Sequence, residues 1–263
     1  MKLAAGFIIA VIIAFAAYRA HSLSRSGAIT SIVVGTVIFG IGGWPWAVLL
    51  LTFFFTSTGL TRAFQKRKSG LSEKFSKGGQ RDAGQVLGNG GLATLFAGLT
   101  ALAPDDPRLW LAFAAVLAAV NADTWATELG VLNPHPPRMI NNPKKVVEQG
   151  TSGGISLVGT LAALAGAALI GLLAGALSPQ GISWTTAVIV TLAGLLGSLF
   201  DSLLGATVQA IYHCPSCAKE TERFPLHTCG TPTVQIRGWK WLNNDWVNFG
   251  CGVFAAIVAL LIQ

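Results

Sequence analysis

The sequence predicts an all-α fold, a polytopic transmembrane helix bundle of about eight spans that forms one integral membrane domain over residues 1–263, with both termini outside. Three observations carry this expectation. Hydrophobic residues make up 52% of the chain and charged residues only 11%, against roughly 25% charge in a soluble domain. The apolar residues come in blocks near the length of about 20 residues that a helix needs to cross a hydrocarbon core of about 30 Å. Finally, 16 of the 18 Lys and Arg residues fall in every second connection between those blocks.

The apolar segments run 3–18, 28–43, 45–60, 83–103, 109–130, 154–177, 184–211 and 247–262. The first resembles a signal peptide in having Lys2 before its apolar run. However, Arg19 stands where a small-residue cleavage site would lie, so an uncleaved helix is expected. The basic residues occupy the first, third, fifth and seventh connections. The positive-inside rule therefore puts these connections in the cytoplasm. The formal charge of +7 reads as topology signal and attraction to a lipid surface, and no nucleic-acid partner is expected.

With that orientation, polar residues from five segments collect at the cytoplasmic face. Asp82, Gln85 and Asn89 share one face of the fourth segment, since i, i+3 and i+7 align on a helix. Asn121 and Glu128 share a face of the fifth, and Asp123 points elsewhere. Asp201 lies within the seventh. Asn243, Asn244 and Asp245 open the eighth, with Asn248 beyond. Asp82 and Asp245 serve equally well as helix N-terminal caps, and Asn89 and Asn121 as hydrogen-bonding links between helices. Asp123, Glu128 and Asp201 point to function, because a carboxylate at membrane depth is costly without a cation or a wet cavity. The Gly194, Gly197, Ser198 and Gly205 series gives the seventh segment a face that another helix can approach closely.

Hard oxygen ligands around a wet cavity suit Mg²⁺, which keeps waters and bridges to substrate phosphates. Arg138, Lys144 and Lys145 precede Gly150-Thr151-Ser152-Gly153-Gly154, a turn expected to open the sixth helix and offer backbone N–H groups to an anion. The third connection, with Gly78-Gly79-Gln80, either adds phosphate contacts or is topology signal alone. In the cytoplasmic loop 212–242, Cys214, Cys217, His227 and Cys229 form a CxxC…HxC inventory. Such a set can close a tetrahedral Zn²⁺ site or stay as reduced thiols. His213 is an alternative ligand, and Cys251 lies too far along the eighth helix to join.

Five ordered motifs, KGGQRDAGQVLGNGG, NADTWATELG, EQGTSGGIS, DSLLGATVQ and WLNNDWVN, resemble the family called domain of unknown function 92, the transmembrane-19-like proteins. The resemblance implies a phytyl-phosphate-kinase-like activity, in which a nucleoside triphosphate, CTP favoured, converts an isoprenyl monophosphate to the diphosphate. It also puts Asp123, Glu128, Asp201 and Asp245 at the family's acidic positions. The expected protein is thus an Mg²⁺-dependent isoprenoid-phosphate kinase with its active face cytoplasmic. Asp123, Asp201 and Asp245 would hold the metal. Asn89, Asn121 and Asn244 would orient ligands, while Lys144, Lys145 and the 150–154 turn would neutralise charge. Two rivals stand beside it: a cytidylyltransferase making a CDP-activated lipid, and an ion or small-molecule transporter.

Overall fold

A computed structural model describes residues 2–68, 73–74 and 79–263, the side chains of 65–68 excepted. Lys77 and Gly78, and the side chains of Lys66, Arg67 and Lys68, therefore lie outside the described residues. Eight helices follow one another: α1 (Lys2–Arg19), α2 (Arg25–Val37), α3 (Trp44–Lys68), α4 (Ala83–Leu99), α5 (Pro107–Gly130), α6 (Leu157–Ala176), α7 (Trp184–Thr207) and α8 (Asn244–Ile262). Seven are long and apolar enough to span a bilayer, α2 together with the π-helical turn Ile38–Gly42 that extends it; α4 has 17 residues.

The helices begin where the sequence supplies caps. The Ser24, Ser156 and Ser183 side chains accept from the backbone N–H groups of Gly27, Gly159 and Thr186. Asp82 forms a capping box with Gln85, and Asp106 precedes Pro107 at the start of α5. Asn243, not Asp245, caps α8 by accepting from the N–H groups of Asp245 and Trp246.

Helix α5 is the axis of the bundle. Every residue from Trp110 to Ala122 is buried, and α3, α4, α6, α7 and α8 pack around it. Small residues allow that crowding. A Cβ on Gly194 would lie 2.6 Å from the Ala118 Cβ, and one on Gly197 would lie 2.6 Å from the Ala119 Cβ. The expected small-residue face of α7 is therefore turned toward α5. Outer helices present Phe7, Ile12, Phe15, Leu161 and Leu192 outward, as lipid contact requires. Exposed tryptophans mark both ends, Trp44 and Trp184 at one and Trp239, Trp241 and Trp246 at the other, the distribution expected at membrane–water interfaces.

The four odd-numbered connections meet at one end of the bundle. Leu23 bridges to Arg81, linking the first to the third. Lys74 Nζ pairs with Glu148 at 2.7 Å, linking the third to the fifth. Lys219 pairs with Glu73 at 2.7 Å, and the Glu222 N–H donates to the Lys74 carbonyl, linking the third to the seventh.

Several helix limits differ from the hydropathy reading. Helix α3 runs eight residues past Leu60, α4 stops at Leu99 rather than Ala103, and α7 stops at Thr207 rather than Ile211. The odd connections also fold into two small sheets that apolar periodicity does not reveal. One has β1 (Arg138–Met139), β2 (Asn142–Val146) and β3 (Gly154–Ile155) in the order β2-β1-β3. The other has β4 (Ile211–Cys214), β5 (Lys219–Thr221) and β6 (Val234–Arg237) in the order β5-β4-β6.

Candidate active site

A cavity of about 610 Å³ opens among α4, α5, α6, α7, α8 and the odd connections. Its ionisable lining consists of Asp123 and Glu128 from α5, Asp201 from α7, Glu222 from the loop after β5, and Arg81 just before α4. Asn89, Asn244, Asn248, Ser198 and Ser202 add neutral polar groups. The fields of Asp123 and Glu222 both reach Asp201, so these three carboxylates are neighbours across one space. Asp201 Oδ2 is buried and has no hydrogen-bond partner among the described residues. A buried carboxylate oxygen left in that condition calls for a cation or ordered water.

In the sequence Arg81 is one of seven basic residues of the third connection, which either adds phosphate contacts or carries topology signal alone; the structure sets it apart by bringing it to the cavity lining. Its backbone is fixed to the α1–α2 turn, with its N–H donating to the Ser22 carbonyl and its carbonyl accepting from the Ser24 N–H. Gly27 leaves room for that carbonyl, which a Cβ there would strike. The guanidinium donates to Ser57 Oγ at 2.8 Å and lies 5.4 and 5.7 Å from the ring centroids of Phe53 and Phe54. Desolvation pulls its pKa down to about 10, and the charge of Glu128 works in the opposite direction. Glu128 in turn accepts from Thr61 Oγ1 at 2.8 Å.

On its other side Arg81 borders a second, almost wholly apolar cleft among α1, α2, α3 and α4, lined by residues such as Ala14, Leu23, Val34, Phe39 and Phe54. Arg81, Gln85 and Asn89 line both spaces. A lipid-like slot and a polar chamber therefore share one boundary, and the boundary carries a cation.

Other expected site residues are placed differently. Asn121 is fully buried. It donates to the Gly166 carbonyl at 2.8 Å and accepts from Thr56 Oγ1 at 3.1 Å, which makes it a link between α3, α5 and α6. Asp245 is not part of the cavity lining; it sits in the first turn of α8, where its backbone packs against Gly88 of α4. Arg138 is turned to its own hairpin, donating to the Pro143 carbonyl at 2.7 Å, while Lys144 and Lys145 are exposed on β2. None of the three lines the cavity.

Gly150, Thr151, Ser152, Gly153 and Gly154 do line it, but the turn leads into β3 instead of opening α6, which Ser156 caps. The N–H groups of Thr151 and Gly154 already donate to the carbonyls of Glu148 and Thr151. The segment docks on α7 instead. Ser152 Oγ donates to Gln209 Oε1 at 2.8 Å, and Gln209 Nε2 donates to Glu222 Oε1 at 2.8 Å. Glu222 was missed in the sequence because only this tertiary contact brings its loop to the cavity. Gly153 lies beside this contact with φ +86°, and a Cβ on it would come within 2.5 Å of Ala206, which explains why glycine is needed there.

Cys214, Cys217, His227 and Cys229 come together below this network, with one ligand atom from each lying within 4.8 Å of the others. Among the described residues this is the only His, Cys, Asp and Glu group so converged. Hydrogen bonding with Thr231 and then with His227 brings the Cys229 thiol down to about 5, whereas its bond to Cys229 pushes Cys217 up to about 12.

A helical membrane bundle with an acidic chamber at one end, joined through one arginine to an apolar cleft, is the class of protein that this geometry defines. The model of the family described as integral membrane protein DUF92 matches residues 8–256, and the chain belongs to that family. It is 35% identical to Protein PGR of Arabidopsis thaliana, over 92% of this chain and 89% of that one. An uncharacterized membrane protein of Methanocaldococcus jannaschii is 32% identical, over 80% and 84% of the two chains. Protein VTE6, chloroplastic, of Arabidopsis thaliana is 28% identical, over 92% of this chain and 65% of its own length. No solved structure matches the chain.

Proposed function

We propose that the protein is a membrane isoprenoid-phosphate kinase that transfers the γ-phosphoryl group of a nucleoside triphosphate, CTP favoured, to phytyl or polyprenyl phosphate. The observation that carries this reading is the shared boundary at Arg81, Gln85 and Asn89. An amphiphile with an apolar chain and a phosphate head would span it, head in the chamber and chain entering the small cleft of about 80 Å³ and continuing into the surrounding lipid. The alternation of basic connections supports a chamber that faces the cytoplasm, where nucleotides are.

In this mechanism Arg81 binds the acceptor phosphate, and Gln85 and Asn89 orient it. Glu128, held by Thr61, positions the guanidinium by its charge. Asp123 and Asp201 fit Mg²⁺, because their hard oxygens flank open space and Mg²⁺ commonly takes one or two carboxylates plus water and substrate phosphate. When bound, that ion would neutralise charge on the nucleotide phosphates. An oxygen of the acceptor monophosphate attacks the γ-phosphorus in line, the bond from that phosphorus to the β,γ-bridging oxygen breaks, and the nucleoside diphosphate departs with the bonding electrons. The acceptor is already ionised, so no general base is needed. Ser152 and Gly153 form part of the chamber wall, with Gln209 and Glu222 bracing them.

The test is incubation of the purified protein with Mg²⁺, CTP labelled in its γ-phosphate, and a panel of isoprenyl monophosphates. Labelled isoprenyl diphosphate and unlabelled CDP are expected. Pyrophosphate with a CDP-lipid would assign a cytidylyltransferase, and solute flux in vesicles without nucleotide would assign a transporter. Either outcome overturns the proposal.

A further inference from the structure

We propose that Cys214, Cys217, His227 and Cys229 bind one Zn²⁺, and that this ion is a structural clasp for the loop that carries Glu222 into the cavity. The inference stands on its own geometry and does not require the kinase reading.

The four residues come from two tight turns facing one another. Cys214 ends β4 and pairs with Lys219 across a hairpin whose tip holds Cys217, where Ala218 turns the chain with φ 53°. The second turn begins at His227. The His227 N–H donates to the Thr231 carbonyl, the Gly230 N–H donates back to the His227 carbonyl, and Gly230 supplies the left-handed φ of 81°. Leu226 bridges to Pro232 across its base. Each turn thus offers two ligands from a rigid backbone, without help from a flexible tail.

The spacings match a tetrahedral ion. With Zn–S bonds of about 2.3 Å and a Zn–N bond of about 2.0–2.1 Å, a tetrahedron has S···S edges of about 3.8 Å and N···S edges of about 3.6 Å. Here Cys214 Sγ and Cys229 Sγ are 3.6 Å apart, and His227 Nδ1 is 3.3 Å from Cys229 Sγ. A disulfide would need its sulfurs at about 2.05 Å and would use two of the three thiols only. Three soft thiolates with one imidazole select zinc over the hard cations suited to the carboxylate chamber. Cys214 is fully buried and His227 nearly so, whereas Cys217 is half-buried and Cys229 exposed, so the cluster lies at the edge of the loop with its inner half out of water. Binding would release the thiol protons to solvent and leave four protein ligands, with no open position for chemistry.

The position of the site gives the ion its purpose. Nine residues separate Cys217 from His227, and β5 and Glu222 lie among them. The Thr221 side chain donates to the Glu73 carbonyl at 2.6 Å, and Glu222 accepts from Gln209. Closing the two turns on one ion fixes both ends of this segment. Without it, the segment would rest on a three-residue edge strand and a few polar contacts to the third connection and Gln209.

The experiment measures metal by elemental analysis on the full chain purified in detergent, followed by titration of the demetallated protein with Co²⁺. About one zinc per chain is expected, as is the visible spectrum of tetrahedral cobalt bound to thiolates. Cys217→Ser should lower zinc content at least about tenfold, whereas Cys251→Ser, outside the cluster, should leave it unchanged. His227→Cys should retain zinc, which separates loss of a ligand from loss of the fold. Hydrogen exchange at 219–223 should rise in Cys217→Ser while α5 stays protected. Wild-type protein that contains no zinc and takes up no cobalt would overturn the proposal. So would a Cys214–Cys229 disulfide found without reductant and with all metal absent, or equal zinc in wild type and in Cys217→Ser.

Discussion

Replacing Arg81 by Met keeps the length and shape of the side chain and removes its charge from the boundary between cleft and chamber. The bond to Ser57 contributes about 1.5–3 kcal/mol as a charge-assisted hydrogen bond. The two phenylalanine rings add about 0.5–1 kcal/mol each. Against this stands desolvation. A guanidinium brought from 12.5 down to about 10 has lost roughly 3 kcal/mol at about 1.36 kcal/mol per pH unit. For the guanidinium itself gains and losses nearly cancel, but buried Glu128 loses its cationic neighbour, so Arg81→Met should cost about 1–3 kcal/mol of stability. Function should respond as well in the protein that stays folded. Loss of one or two charged hydrogen bonds to the acceptor phosphate, about 3 kcal/mol in all, raises the acceptor KM roughly 100-fold. The KM for CTP should move less than about twofold, since the proposed mechanism gives Arg81 to the acceptor and the nucleotide to Asp123 and Asp201. The assay is steady-state transfer with each substrate varied in turn, beside thermal unfolding in the same detergent. The reasoning fails if Arg81→Met unfolds the protein yet leaves the acceptor KM of the remaining folded fraction unchanged, or if the CTP KM rises instead.

Asp201→Asn keeps the size of the side chain and its place in α7 but lowers its affinity for a cation. Transfer should fall by at least about 100-fold, while unfolding temperature holds or rises; kinetics and calorimetry together check this. Gly153→Ala adds a Cβ 2.5 Å from Ala206 at a φ of +86°. It should push the turn off α7 and reduce kcat together with stability by about 1–3 kcal/mol, whereas Gly43→Ala, at φ 85° with nothing within 4 Å, should leave kcat alone. Asn121→Ala removes bonds to Gly166 and Thr56 and should cost about 1–2 kcal/mol of stability, with KM values unchanged for the protein that stays folded.

The membrane part of the fold was legible because bilayer physics writes itself into one dimension. Apolar blocks give the helices, and alternating Lys and Arg content gives the shared end of the odd connections. Asp123, Glu128 and Asp201 were legible for the same reason, since a carboxylate inside such a block needs a partner. Residues in the connections were harder to read. Arg81 lay in a cluster of seven basic residues that all serve the topology rule, and only its insertion between Phe53, Phe54 and Ser57 distinguishes it. Lys144 and Lys145 looked like phosphate ligands by proximity in sequence, yet an exposed hairpin strand carries them away from the chamber. Asn121 and Glu128 share a helical face, but a seven-residue offset along α5 separates a buried helix link from a cavity wall.

If the proposed kinase reading holds, the charge balance of the chamber constrains how its substrates would arrive. Its described lining holds four carboxylates, Asp123, Glu128, Asp201 and Glu222, against one guanidinium. A free triphosphate entering such a field would be repelled, and the repulsion is strong because low-dielectric walls do not screen it. The nucleotide must therefore come with cations, or find them already held by Asp123 and Asp201. On the kinase reading proposed above, an isoprenyl monophosphate would have another route, because Arg81 also lines the apolar cleft. Two anions can then face each other only when the metal lies between them. It follows that raising Mg²⁺ at fixed CTP should lower the KM for the acceptor as well as for the nucleotide. In Asp201→Asn the acceptor should lose that dependence on Mg²⁺ while keeping its dependence on Arg81. If acceptor binding were indifferent to Mg²⁺ in the wild type, the two phosphates would not share this chamber, and the arrangement argued from its lining would be wrong.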